Sequence, residues 1–139
     1  MSIENNEILK PFIEHLEFLG YTVEPTSEEK KFYRAKEHPT RWSLVFTPYR
    51  DKGVFFTAAF GCEPSAKANP IDIFKFANNL NASFFLCRAV VDKDSDISIE
   101  VCFTKIYDRR EFGIFMDQIE AEIRNAMDKN KEEAKRILI

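Results

Sequence analysis

Apolar residues recur at helical spacing in three segments of the chain. The first stripe runs over residues 8–19, with apolar positions three or four apart, and Gly20 follows as a stop signal. The second begins at Pro70, a residue suited to the first turn of a helix. The third follows Asp108, which forms a capping-box pattern with Glu111. The spacing therefore predicts three amphipathic helices.

The third helix changes character towards its end. Its apolar stripe is continuous at first, but from about residue 128 charged residues dominate. A single helix over residues 109–136 would be about 42 Å long at 1.5 Å per residue, which exceeds the diameter of a domain of this size. We therefore expect the charged end, residues 128–139, to fray or to reach a partner.

Alternating apolar and polar positions predict five β-strands. Three short strands, over residues 31–36, 41–47 and 54–60, are separated by segments rich in turn-forming residues. When positions of the second and third strands that sum to 100 are paired, Phe46 lies opposite Val54 and the apolar residues share one face. This face is predicted to be the core side of the sheet.

The remaining two strands form a hairpin after the second helix. Pairing positions that sum to 188 places apolar residues on one face, with Phe85 opposite Phe103, and leaves an acidic turn at residues 92–96. The same register sets Arg88 opposite Glu100, a favourable cross-strand charge pair. A shift by one residue loses both features, so we predict this register.

These elements predict one α+β domain over residues 1–139. An antiparallel sheet of about five strands packs with three helices in the order α-β-β-β-α-β-β-α. The side of the sheet away from the predicted core carries apolar residues among Arg, Thr and Ser, and we call it the mixed face. Its candidate partner or dimer residues are Phe32, Arg34, Val45, Phe55, Phe84, Leu86, Arg88 and Val90. A solvated sheet face is normally more polar, so we expect something to cover it.

Composition narrows the classes of function. The 139 residues carry a net charge of −3, and Lys and Arg are spread along the chain, which provides no basic surface for nucleic acid. No apolar run is long enough for a membrane helix, and the N-terminal MSIENNE is polar and acidic rather than a secretory signal. We therefore expect a cytoplasmic protein without nucleic-acid or membrane partners.

Motifs that carry chemistry are missing or incomplete. The acidic turn at 92–96 is similar to the start of a calcium loop, but Ile97 stands where glycine is needed and Phe103 where a bidentate Glu is needed. Neither His15 nor His38 has a second metal ligand at suitable spacing. The chain contains no GxSxG, GxGxxG or GxxxxGKS sequence. We predict no catalytic residue, no metal and no cofactor.

The three cysteines, Cys62, Cys87 and Cys102, are predicted to be reduced. They are odd in number and show no CxxC spacing, and the predicted hairpin register places Cys87 and Cys102 on opposite faces of the sheet. Free cysteine is commonly buried, so packed thiols are expected. Cys62 follows a strand end at Gly61, and it is the more accessible candidate for a reactive thiol.

Arg34 and Arg88 project from strand interiors onto the mixed face, and two interpretations of them stay open. Each could pair with a neighbouring carboxylate, which is Glu100 in the case of Arg88. Alternatively, each could anchor an anionic group of a ligand or a peptide.

The order of elements, together with FANNLNASFFLCRAVVDKDSDISIEVCF and the following YDRREFGIFMDQI, resembles the YbjN family, whose members share the fold of type III secretion chaperones. The resemblance covers most of the chain in topology and brings no catalytic residue. It implies a binding or regulatory module rather than an enzyme. Chaperones of this fold are typically homodimers that hold an extended segment of a client, so the resemblance implies self-association and a client or regulatory protein as partners.

Two functions remain open from the sequence. The first is a non-catalytic, chaperone-like protein-binding or regulatory module, a homodimer that uses the mixed face or a strand edge. The alternative is a small-ligand sensor or an undetected enzyme, with a pocket between sheet and helices where Arg34 or Arg88 contacts an anion. A third interpretation is structural, in which the terminal helix covers the mixed face.

Overall fold

The computed structural model describes residues 3–28 and 31–139. Five helices and six strands are found in this part of the chain. In chain order they are α1 (Ile3–Leu19), β1 (Thr22–Pro25), β2 (Tyr33–Lys36), β3 (Leu44–Tyr49), β4 (Gly53–Phe60), α2 (Pro64–Lys67), α3 (Pro70–Ser83), β5 (Arg88–Val91), β6 (Ile97–Phe103), α4 (Arg109–Lys129) and α5 (Lys131–Ile137). The predicted α+β class is confirmed, and α1, α3 and α4 are the three predicted helices.

The six strands form one sheet in the order β1-β2-β3-β4-β6-β5. The pairs β1–β2, β2–β3, β3–β4 and β5–β6 are antiparallel. The strand missed by the sequence pattern is β1, which is four residues long, has no buried residue and ends at Pro25. Pairing with β2, rather than its own alternation, holds it in the sheet. The single helical turn α2 was also missed.

The last predicted helix is two helices rather than one. It breaks at Asn130, whose side-chain amide donates to the Ala126 carbonyl oxygen at 2.9 Å. The shorter piece, α5, ends in Ile137, which is fully buried and whose carbonyl oxygen accepts a hydrogen bond from the Glu63 N–H at 2.7 Å. The charged end is therefore packed rather than frayed, and the one terminal helix of the predicted fold is replaced by two, α4 and α5.

The chain divides into two compact units. Unit 1 consists of Met1–Ala58 and Cys102–Asp117, and unit 2 consists of Ala59–Val101 and Gln118–Ile139. Each unit has its own buried side chains. The prediction of a single domain stays a prediction.

Aromatic rings fill the core of unit 1. Less than a tenth of each of these side chains is exposed: Phe12, Phe46, Phe56, Phe103, Phe112 and Phe115. Phe112 is central, because its ring centroid lies 5.0 Å from that of Phe12 and 5.4 Å from that of Phe103, both in edge-to-face geometry. The predicted stripes of α1 and α4 therefore meet the core side of the sheet in this unit.

The hairpin of β3 and β4 has the predicted faces in a different register. Phe46 pairs with Phe56, two positions from the Val54 that was expected. Side chains alternate with a period of two along a strand, so a slip of two residues keeps each one on its predicted face. Leu44, Phe46, Val54 and Phe56 are accordingly buried.

The hairpin of β5 and β6, in unit 2, has the predicted register. Arg88 lies opposite Glu100, and Val91 lies opposite Ile97. The acidic turn is closed by Asp92, whose Oδ1 accepts hydrogen bonds from two backbone N–H groups within the turn. The predicted stripe of α3 is buried in this unit and consists of Ile73, Phe76, Ala77 and Leu80.

Candidate functional site

The unit 1 part of the mixed face lies on β2, β3 and β4. Val45 stands opposite Arg34, and Phe55 stands opposite Thr47, which makes Val45 and Phe55 diagonal neighbours. Both are half-buried, whereas the residues beside them that point to the core are buried. Phe32, just before β2, is 47% exposed. The structure therefore brings this predicted apolar group together.

The unit 2 part of the mixed face is only partly on a strand. Arg88 and Val90 lie on β5, whereas Phe84 and Leu86 precede it. Phe84 follows the last residue of α3 and is half-buried, and Leu86 is 40% exposed. The prediction that these four residues share one strand is therefore wrong.

A carboxylate from α4 holds the segment before β5 out of the sheet. The side-chain oxygens of Glu122 accept hydrogen bonds from the backbone N–H groups of Phe85, Leu86 and Cys87 at 2.9–3.2 Å. Hydrogen bonds to a charged acceptor are strong, and these compete with strand pairing. As a result Phe85, which we expected in the core opposite Phe103, is 92% exposed.

Both arginines of the mixed face have carboxylate neighbours. Arg88 forms an ion pair with Glu100, with Nη2 2.8 Å from Oε1, as the cross-strand interpretation predicted. Arg34 Nη1 lies 4.0 Å from Glu24 Oε1, and Lys36 Nζ lies 2.9 Å from the same oxygen. The ion pair with Glu100 therefore explains the position of Arg88 on the mixed face. Arg34 lies beside the Glu24 carboxylate, which also binds Lys36.

A side chain covers the free edge of β5, the last strand in the sheet order. Asn81 donates from Nδ2 to the Ala89 carbonyl oxygen at 3.0 Å and accepts from the Ala89 N–H at 2.7 Å. The amide thus satisfies both backbone groups of an edge residue, as a neighbouring strand would. A client strand would have to displace Asn81, so this edge is blocked at its centre.

Replacing Asn81 by alanine is expected to lower the free energy of unfolding by about 1–3 kcal/mol, because two backbone groups of the buried Ala89 lose their partners. Urea denaturation measures the loss, and light scattering at high concentration reports strand-to-strand aggregation. The matched control is Asn78→Ala, since Asn78 is exposed on the same helix and its replacement should cost no more than about 0.5 kcal/mol. Equal losses in the two variants would contradict the role of Asn81.

None of the three cysteines is exposed. Cys62 and Cys87 are buried and Cys102 is half-buried. Burial raises the pKa of all three thiols, and for Cys87 burial and the nearby Glu122 carboxylate raise the pKa to about 12. The expectation that Cys62 is the more accessible thiol is wrong, because only 1% of it is exposed. Its backbone pairs with Leu138 in an isolated bridge, which encloses this strand end.

A groove in unit 1 that the sequence did not predict lies between α1 and the start of α4. It consists of two depressions, and His15 and Arg109 line both. Only 9% of His15 is exposed; its Nδ1 lies 2.8 Å from Tyr107 Oη, and its ring packs edge-on against Phe112. We call this the His15 groove, and its other principal residues are Phe18, Gly113 and Ile114.

Burial lowers the pKa of His15, and the positive charge of Arg109 lowers it further. The imidazole is therefore neutral at pH 7. A neutral imidazole donates a hydrogen bond from one nitrogen and accepts one at the other. With Tyr107 on Nδ1, His15 can offer Nε2 to a group in the groove.

Two features of the sequence mark the groove in retrospect. His15 stands three residues after Phe12 on the apolar side of α1, where a polar residue is unusual. Gly113 interrupts the interior of α4, where glycine is unfavourable. No short motif joins these residues, because the fold brings them together from opposite ends of the chain.

The described residues form neither a metal cluster nor a membrane-spanning helix. Among them, no group of three or more His, Cys, Asp or Glu side chains could hold a metal ion. No helix in the same ranges combines the length and apolar character needed to cross a membrane.

Likeness to known proteins is found at the level of structure. No family model matches the chain, and no curated protein matches its sequence. The crystal structure of YbjN from E. coli is similar, with 20% identity, a TM-score of 0.62, and coverage of 94% of this chain and 95% of that one. The chain has a YbjN-like fold. At this identity the likeness to YbjN, described as a candidate transcription regulator, concerns the fold alone. The secretion-chaperone fold is compatible with this architecture.

Proposed function

We propose that the protein is a non-catalytic binding or regulatory module that forms a homodimer through the unit 1 part of the mixed face. The observation that carries the proposal is the apolar group of Phe32, Val45 and Phe55 on the side of the sheet away from the aromatic core. Apolar surface of this kind is stabilised when a partner covers it. A regulatory role agrees with the description of YbjN as a candidate transcription regulator. The support from this comparison is the shared fold.

The chemistry of this face suits a second copy of the same chain. A twofold dimer places the same patch on both sides, so an apolar centre with charges of both signs at its rim is self-complementary. Glu24, Arg34 and Lys36 provide such charges beside the apolar group, with Lys36 Nζ 2.9 Å from Glu24 Oε1. The blocked edge of β5 makes the face a better candidate than that edge, both for the dimer and for a client segment.

Sedimentation equilibrium over a wide dilution range tests the dimer. The wild-type chain should have twice its monomer mass of 16.2 kDa at high concentration and dissociate on dilution. Phe55→Glu places a charge in the apolar centre, and the dissociation constant should rise roughly thirtyfold or more, which corresponds to about 2 kcal/mol. Phe32→Glu, at a more exposed position, gives the same test if Phe55→Glu does not fold.

The matched control for this experiment is Phe85→Glu. It introduces the same charge at a residue that is 92% exposed in unit 2, so it should leave the dimer intact. Circular dichroism and the unfolding temperature check that each variant is folded. A wild-type chain that stays monomeric at every concentration, or a control that dissociates as readily as Phe55→Glu, overturns the proposal.

A small-ligand sensor is the second candidate function. From the sequence we expected the anionic group of such a ligand to contact Arg34 or Arg88. Both arginines, however, have carboxylate neighbours on the mixed face. The observation that favours a ligand is the His15 groove, where a buried polar side chain faces an open depression. An undetected enzyme has no comparable support among the described residues.

A further inference from the structure

The free edge of the His15 ring points towards Gly113. A Cβ atom built on Gly113 would lie 3.7 Å from His15 Cε1 and 3.8 Å from Nε2. His15 Nδ1 is engaged by Tyr107, whereas Nε2 has no hydrogen-bond partner within the described part of the chain. A side chain that is nine-tenths buried thus directs an unused polar atom into the groove.

Gly113 is not required by packing or by backbone conformation. Distances of 3.7–3.8 Å are ordinary van der Waals contacts, and the backbone of Gly113 is not in the left-handed region. Alanine would therefore fit, and in a helix interior it is more favourable than glycine by about 1 kcal/mol. The chain keeps an empty space beside Nε2 at the expense of helix stability, which is expected if that space holds a ligand.

Two guanidinium groups flank this space. Arg109 lines both depressions, and its Cζ lies 5.6 Å from the centre of the Phe18 ring. Arg110 lines one of them. Neither arginine forms a salt bridge with another described residue. An anionic group in the groove would therefore meet a buried hydrogen-bond donor and an unpaired cation.

The carboxylates around the groove limit the charge of that anion. Asp117 forms an ion pair with Arg41 at 2.8 Å, and Asp108 accepts a hydrogen bond from the Glu111 N–H at 2.9 Å. Glu14 lines the depression next to Phe18. Because three carboxylates are nearby, like-charge repulsion disfavours a multiply charged anion such as phosphate. An anion with a single negative charge can bind beside the arginines, away from these carboxylates.

We propose that the His15 groove binds a small monocarboxylate with an apolar or aromatic body. The carboxylate lies between Arg109 and Nε2 of His15, and the body lies against Phe18 and Ile114, which are 75% and 48% exposed. In the proposed complex the neutral imidazole carries its proton on Nε2 and donates it to the carboxylate, while Nδ1 accepts from the Tyr107 hydroxyl 2.8 Å away. This site is independent of the proposed dimer face.

Titration of the wild-type chain with benzoate tests the site, with the two histidine side chains followed by long-range proton–nitrogen NMR. The His15 signals should shift along a saturable curve. His38 is the internal control, because its Nε2 is bonded to the Leu19 carbonyl oxygen at 2.8 Å. Inorganic phosphate, titrated separately, should shift His15 less. No saturable shift at His15, or tighter binding of phosphate than of benzoate, overturns the proposal.

Two variants test whether benzoate binds in the His15 groove. Arg109→Gln removes the cation, and Gly113→Ala fills the space beside Nε2; each should weaken benzoate binding about tenfold or more, as expected for the loss of a charged hydrogen bond or of a fitted contact. Gly113→Ala should do so while raising the unfolding temperature, which separates a blocked site from a damaged fold. The matched control is Arg124→Gln on the same helix, which should bind like the wild type. Unchanged affinity in Gly113→Ala contradicts the site.

Discussion

Replacing Gly53 by alanine is expected to destabilise the protein by about 3 kcal/mol, the upper range for inserting an atom into a packed site. A Cβ atom at this position would lie 2.2 Å from the carbonyl oxygen of Phe103 and 3.1 Å from the Cα of Thr104. Both are backbone atoms, so neither can rotate away. The added methyl group must push a strand of unit 1 aside, at a point where Phe103 also belongs to the aromatic core.

Urea denaturation of Gly53→Ala measures this loss, and Gly61→Ala is the matched control. A Cβ atom on Gly61 would meet the Cδ1 atom of Ile139 at 3.1 Å, which is the flexible end of an exposed side chain that can move. The control should therefore lose no more than about 1 kcal/mol. A denaturation midpoint for Gly53→Ala equal to that of the wild type contradicts the close approach of these backbone segments.

The sequence predicted best where the signal is local. The β5–β6 register followed from the Arg88–Glu100 pair and a short acidic turn, both visible within one hairpin. The β3–β4 register was missed by two positions because Pro48 suggested the end of a strand, yet β3 continues through it to Tyr49. Since a slip of two keeps the faces unchanged, the outward positions of Val45 and Phe55 were still predicted correctly.

Contacts between distant parts of the chain were not predictable in the same way. Glu122 holds residues 85–87 out of β5, and nothing in the alternating pattern of that segment indicates a carboxylate from another helix. The His15 groove needs Tyr107 and Gly113 beside α1, which no spacing rule suggests. Local periodicity thus fixed the faces of the elements, whereas the site depends on tertiary packing.

Truncating Phe112 to alanine is expected to have the largest effect of any single substitution considered, about 3–5 kcal/mol, because it removes a fully buried ring. The Phe112 ring contacts the rings of Phe12 and Phe103, and its centroid lies 5.1 Å from the centroid of the His15 imidazole. Native domains are stable by only about 5–15 kcal/mol, so this variant should be close to unfolding. Thermal and urea denaturation measure the change.

Phe112→Leu separates the packing of the core from the support of the groove. It should fold and lose less free energy than Phe112→Ala, because a leucine fills most of the cavity. The His15 ring nevertheless loses its edge-to-face contact with the Phe112 ring, so the His15 NMR signals should shift while those of His38 stay in place. The exposed control is Phe85→Ala, whose unfolding free energy should change by no more than about 0.5 kcal/mol. If Phe112→Leu leaves the His15 signals unchanged, the Phe112 ring does not position the imidazole, and Tyr107 is left as the residue that orients it, through its hydrogen bond and its ring contact.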